Sequence, residues 1–100
     1  MLVTQQLNSS NNTLVITING EFNFAINKEF RNAYKDVEPN KNFTVSVDLT
    51  RTDYMDSAAL GMLLLLDEHF KEQRISLINC SEYIKKALDV VKFEQKFIIT

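Results

Sequence analysis

The run from Asp53 to Gly61 reads Asp-Tyr-Met-Asp-Ser-Ala-Ala-Leu-Gly and sets one hydroxyl, that of Ser57, beside carboxylates where an extended segment gives way to a helical pattern. Ser57 is predicted to lie at or beside the N-cap of that helix. The first N–H groups of a helix lack intrahelical partners, and the macrodipole adds about half a positive charge there. A phosphate on Ser57 would therefore meet unpaired donors, while bringing roughly 1.5 to 2 negative charges at neutral pH. The plainer role is structural, since a serine N-cap stabilises a helix by about 1 kcal/mol with no further function. Leu60 stands where a capping box would place Glu or Gln, so that role lacks its usual reinforcement.

Other chemistries fit poorly. Ser57, His69 and an aspartate could be imagined as a triad, but twelve helical steps of about 1.5 Å separate the serine from the histidine by roughly 18 Å, against the roughly 3 Å that proton transfer needs. No catalytic residue is expected, and His69 reads as a solvated helix residue. With one histidine and one cysteine there is no usual metal-ligand set. Cys80 has no partner for a disulfide or a CxxC motif, and reads as a buried thiol in a reducing compartment. No glycine-rich phosphate loop is present, so no nucleotide cofactor is expected and any ATP must come with a partner.

The formal net charge of -2 and pI near 5.3 provide no broad cationic surface for nucleic acid or an anionic membrane, which points to a protein partner. The N-terminus lacks the basic start and apolar run of a signal peptide. The longest apolar run, Ala58 to Leu66, falls well short of the roughly 20 residues that span a bilayer. A soluble, cytoplasmic protein is predicted, with residues 1–100 as one domain.

The elements that must position Ser57 can be read from periodicity. Leu14, Ile16 and Ile18 alternate with polar neighbours in a strand ending at Gly20; an earlier strand near Leu2 to Leu7 would pair with it across the turn-like segment from Asn8 to Asn12. Ile26, Phe30, Ala33, Tyr34 and Val37 mark one helical face, closed by Pro39. Phe43, Val45, Val47 and Leu49 form the next strand. The second helix starts at Ser57, with Leu60, Leu63, Leu64 and Phe70 on one side. Its apolar first half is expected to be buried on more than one side, Gly61 to admit a close backbone, and Asp67 to pair with Lys71. Ile75, Leu77 and Ile78 make another strand, and Ser81 caps a third helix striped by Tyr83, Ile84, Ala87, Leu88 and Val91. Phe97 to Ile99 would close the chain as an edge strand or packed tail. The result is an α/β domain, a mixed four- to five-stranded sheet with about three helices packed against it.

This order, with Asp48 to Gly61 following a pattern close to D-L-x-x-x-x-x-M-D-S-S-G-L-G, resembles the STAS domain family, in particular its anti-sigma-factor-antagonist branch. The resemblance spans nearly the whole chain. It implies a phosphorylation-controlled binding switch and no enzyme: Ser57, preceded by Asp56, would be phosphorylated by a serine kinase that doubles as an anti-sigma-type regulator, and reset by a serine phosphatase. Ala58 and Ala59 replace the family's second serine and glycine, leaving one local hydroxyl. The segment Gly20-Glu-Phe-Asn-Phe24 resembles the family's G-E-L-D, with Asn23 in place of the aspartate; Asn23 also suits an N-cap. By resemblance Asn23, Asp53, Asp56, Ser57, Ala58 and Ala59 form the partner surface. The alternative within the family is a structural STAS subunit of a transport complex, such as a lipid ABC system, that never carries phosphate.

Overall fold

The computed structural model describes residues 2–40 and 42–100. In chain order its elements are β1 (Val3–Asn8), β2 (Thr13–Ile18), β3 (Gly20–Phe22), a 3₁₀ turn (Phe24–Ile26), α1 (Asn27–Asn32), β4 (Thr44–Asp48), β5 (Thr52–Met55), α2 (Ser57–His69), β6 (Ser76–Ile78), α3 (Glu82–Val90), a second 3₁₀ turn (Phe93–Gln95) and β7 (Ile98–Ile99). Five strands make the main sheet in the order β1-β2-β4-β6-β7, and β3 pairs with β5 in a separate two-stranded sheet.

The period-two alternation of the sequence decides which face of the sheet is covered. The hairpin β1-β2 is antiparallel, while β2-β4, β4-β6 and β6-β7 are parallel. Each parallel step crosses over through one helix. Right-handed crossovers that always advance in the same direction place every helix on the same face of the sheet. Register sets Leu14 beside Val45, Ile16 beside Val47 and Val47 beside Leu77, so the inward residues form continuous apolar rows. Together with Ile26, Phe30, Leu63, Leu66, Ile84 and Leu88 they make the core. The opposite face, with Thr13, Thr17, Ser46 and Ser76, is only partly covered, as expected for a sheet with one solvated side.

Several sequence expectations change. The first helix is short: Asn27–Asn32 is α-helical and the chain then loosens into turns, although Ile26, Phe30, Ala33 and Tyr34 are buried as the stripe requires. The buried face of α2 is Ala59, Met62, Leu63 and Leu66, while Leu64 and Leu65 face solvent. Burial on several sides is therefore not found. Gly61 is exposed and an added Cβ would meet nothing within 4 Å, so it admits no close backbone. The helix ends at His69, because Phe70 turns into the core with non-helical dihedrals. Lys71 is thereby carried out of the helix, and Asp67 meets Lys96 at 4.0 Å instead. On α3, Ser81 caps as expected, accepting from Ile84 N–H at 3.2 Å; Ile84 and Leu88 are buried, but Tyr83 and Val91 are exposed. At the C-terminal end both expectations are met, since Phe97 packs against Phe93 and β7 pairs with β6.

These assignments predict an asymmetry between adjacent leucines. Leu66 is 0% exposed and Leu65 56%, so Leu66→Ala should cost about 2–5 kcal/mol and Leu65→Ala no more than about 0.5 kcal/mol. Urea unfolding of the two variants beside the unsubstituted chain checks this.

Candidate functional site

The site is assembled where β2 and β4 end. Asp48, last in β4, accepts through Oδ1 from Thr50 N–H at 3.0 Å, from the Thr50 hydroxyl at 2.5 Å and from Asn79 Nδ2 at 3.1 Å. One carboxylate thus forms the turn after β4 and ties it to the end of β6. Partial burial pushes this carboxyl up, but the three hydrogen bonds together outweigh that and hold it below the usual aspartate range. The turn delivers Thr52, whose hydroxyl donates to the Ile18 carbonyl at 3.0 Å and is buried. On the partner side Gly20 has φ +92°, a conformation that glycine adopts without a Cβ clash, and its N–H donates to the Arg51 carbonyl at 2.9 Å. The segment from Thr50 to Asp56 accordingly contains a strand, β5. It runs parallel to β3, with Glu21 opposite Tyr54 and Phe22 opposite Met55.

This small sheet ends at the candidate residues. Asn23 and Asp56 follow directly after the pair Phe22 and Met55, and Asp56 N–H donates to the Phe22 carbonyl at 3.4 Å. Each then caps a helical turn. Asn23 Oδ1 accepts from Ala25 N–H at 3.0 Å at the head of the 3₁₀ turn, which meets the capping expectation. Asp56 Oδ1 accepts from Ala59 N–H at 3.0 Å and is the N-cap of α2. Ser57 is therefore the first helical residue and not the cap. Its hydroxyl is exposed and, among the described residues, has no hydrogen-bond partner. Asp53 is exposed, Ala58 half-buried and Ala59 buried under the helix, so Ala59 supports the surface and cannot be touched from outside. Sequence reasoning missed two exposed aromatics here, Phe24 and Tyr54.

His69 is not a solvated residue. Its Nε2–H donates to the Val37 carbonyl at 2.9 Å, and its ring stands edge-on to Tyr34 and Phe70. It fastens the far end of α2 and lies a helix length from Ser57. Cys80 is half-buried with its Sγ 3.5 Å from the Leu77 carbonyl, and burial raises its thiol pKa. Among the described residues no group of His, Cys, Asp and Glu could hold a metal ion, and no helix is long and apolar enough to cross a membrane. The grooves lined by Val3, Gln5 and Ala33, and by Lys85, Asp89 and Ile99, lie away from Ser57. The helix start is a presented surface.

A small α/β domain with a mixed five-stranded sheet and all its helices on one face is the SpoIIAA-like fold. The chain matches the anti-sigma factor antagonist SpoIIAA in its unphosphorylated form with a TM-score of 0.74 and 20% identity, over 98% of this chain and 86% of that one. It matches the Bacillus cell fate determinant SpoIIAA in the phosphorylated form with a TM-score of 0.68 and 16% identity, over 98% and 90%. Residues 5–100 match the family model described as "Mlab, STAS domain". A STAS-domain containing protein of Pseudomonas aeruginosa (strain UCBPP-PA14) is 41% identical over 102 residues, covering all of both chains. This chain belongs to the STAS domain family.

The division of labour between Asp56 and Ser57 can be tested by stability alone. Asp56→Ala removes the cap and should cost about 1 kcal/mol, whereas Ser57→Ala should leave the unfolding midpoint nearly unchanged; equal losses would contradict the assignment. A second prediction concerns acid. Asp48 titrates in the folded protein below its unfolded value of 3.8, so it contributes stability in full above that pH and loses it as pH falls through the lower folded value. Compared with the unsubstituted chain, Asp48→Asn should lose less stability below pH 3.8, read from urea midpoints across that range.

Proposed function

We propose that this protein is a phosphorylation-controlled binding switch of the anti-sigma-factor-antagonist type, with Ser57 as its phosphate acceptor. The observation that carries the reading is the Ser57 hydroxyl itself: exposed, unbonded among the described residues, and relieved of capping by Asp56. A serine with no structural duty at a helix start is accessible to a kinase at little cost to the fold. Membership of the STAS family and the likeness to SpoIIAA in both phosphorylation states support the same reading.

In the unphosphorylated state the surface formed by Asn23, Asp53, Asp56, Ser57 and the edge of Ala58 binds a serine kinase or anti-sigma-type regulator in the cytoplasm. Transfer of a phosphoryl group from the partner's ATP adds a dianion beside Asp53 and Asp56. The free N–H groups and dipole of the first turn of α2 accommodate that charge without refolding, while like-charge repulsion and desolvation at the interface release the partner. A serine phosphatase restores binding. The chain acts by binding and catalyses nothing itself.

Ser57→Ala should stay bound to the partner and take up no phosphate, whereas Ser57→Asp and Ser57→Glu should bind at least tenfold more weakly, a difference of about 1.4 kcal/mol. Calorimetry with an anti-sigma-type serine kinase from the same organism measures the binding and mass spectrometry after incubation with ATP the phosphate, and equal binding by all three variants sinks the switch. Mass spectrometry of protein from its native host supplies an independent arm: copurification with an ABC ATPase and no phosphate on Ser57 would identify a transport-complex subunit instead.

A further inference from the structure

The peptide group joining Met55 to Asp56 is held at both ends. Its N–H donates to the Phe22 carbonyl of β3 at 3.4 Å, and its C=O, pointing the opposite way from the strand, accepts from the Tyr83 hydroxyl of α3 at 3.4 Å. Asp56, which carries the N–H of that unit, immediately precedes Ser57. The Tyr83 ring also lies near-parallel to Tyr54 of β5, at a centroid distance of 6.5 Å and an interplanar angle of 22°. Tyr83 remains 50% exposed, so ring burial in the core does not account for its placement. What fixes it is contact with the edge of β5 that β3 leaves free.

Two long hydrogen bonds on one peptide group constrain its rotation more than its stability. Since Asp56 caps α2 through the side chain borne by that same unit, the orientation of the peptide sets the direction in which the first helical residue projects. We propose that Tyr83 is a positioning residue for Ser57: through the Met55 carbonyl and the Tyr54 ring it fixes the angle at which the hydroxyl is offered to a kinase. The inference rests on Ser57 being the phosphate acceptor. It adds a residue from α3, distant in sequence, to a site otherwise built from β3, β5 and α2.

Phosphoryl transfer depends steeply on the placement of the attacking oxygen, and a displacement of about 1 Å can cost up to about a hundredfold in rate. Tyr83→Phe keeps the ring and loses the hydroxyl; Tyr83→Ala loses both. With an anti-sigma-type serine kinase from the same organism that phosphorylates the unsubstituted chain, and radiolabelled ATP, Tyr83→Phe should lower kcat for Ser57 by about threefold and Tyr83→Ala by about tenfold or more. KM for the protein substrate should hold, because the docking surface is intact. Unchanged kcat, or a rise in KM alone, overturns the positioning role, the latter by making Tyr83 a contact residue. Hydrogen exchange at the Asp56 and Ala59 amides should accelerate in Tyr83→Phe while the midpoint of global unfolding stays put, and unaltered exchange also overturns the role. If the unsubstituted chain takes no phosphate on Ser57, the switch itself fails, and exchange at these two amides alone decides whether Tyr83 orients the helix start.

Discussion

The hydrogen bond from the buried Thr52 hydroxyl to the Ile18 carbonyl joins the two sheets of this domain. β3 and β5 would otherwise be a short parallel pair, and isolated strand pairs are marginal in water. Anchored to the end of β2 by Thr52, and to the end of β6 by Asp48 and Asn79 through the turn that precedes it, the small sheet becomes a rigid extension of the large one. Everything at the site inherits its position from this junction. β5 fixes the Met55–Asp56 peptide, that peptide fixes the cap, and the cap fixes the first turn of α2.

The electrostatics of the helix start follow from which residue does the capping. Had Ser57 been the cap, its hydroxyl would have been spent on a backbone N–H and modification would have unfastened the helix. Asp56 takes that task and leaves the serine exposed. The same carboxylate, with Asp53 nearby in sequence, makes the surface acidic before any modification. Under the proposed switch, a phosphate on Ser57 would be tolerated by the helix and opposed by its flanks, a division that suits a surface altered by charge while its fold is kept. Asn23, where the family pattern has an aspartate, removes one of those flanking charges and still caps its own turn.

Much of this was legible in the sequence because it rests on local patterns. The alternation of Leu14, Ile16 and Ile18, the Ser81 cap and the stripe of Ile26, Phe30, Ala33 and Tyr34 each follow from one element and its period. β3 and β5 did not announce themselves. Thr52 and Met55 are buried while Asp53 and Tyr54 between them are exposed, a spacing of three that breaks the alternation of a strand, and their pairing depends on Gly20, a residue thirty-odd positions away. The α2 face was misread for a different reason: a run of consecutive leucines has no unique stripe, and only the position of the sheet decides that Leu63 and Leu66 go in and Leu64 and Leu65 stay out. Tyr83 looked like a core residue because aromatic rings at helical spacing usually are, and its hydroxyl's partner lies on another element. Family resemblance pointed to Ser57 but could not say whether it or Asp56 was the cap.

The spatial order of the main sheet, β1-β2-β4-β6-β7, is also its order along the chain. A nascent chain leaving the ribosome can therefore add each strand to an edge that already exists, beginning with a local hairpin and never waiting for a later segment to fill a gap in the middle. Each parallel addition still closes a long loop, as between Leu14 and Val45 or Val47 and Leu77, so the pairing is not fast, but the order limits the time that strand edges stand open. The start of α2 is an exception to that economy. Its strand, β5, can pair with β3 as soon as both are made, but the free edge of β5 is closed only when Tyr83 arrives on α3. The helix start that presents Ser57 is thus completed late in synthesis, after the strand that carries it is already in place.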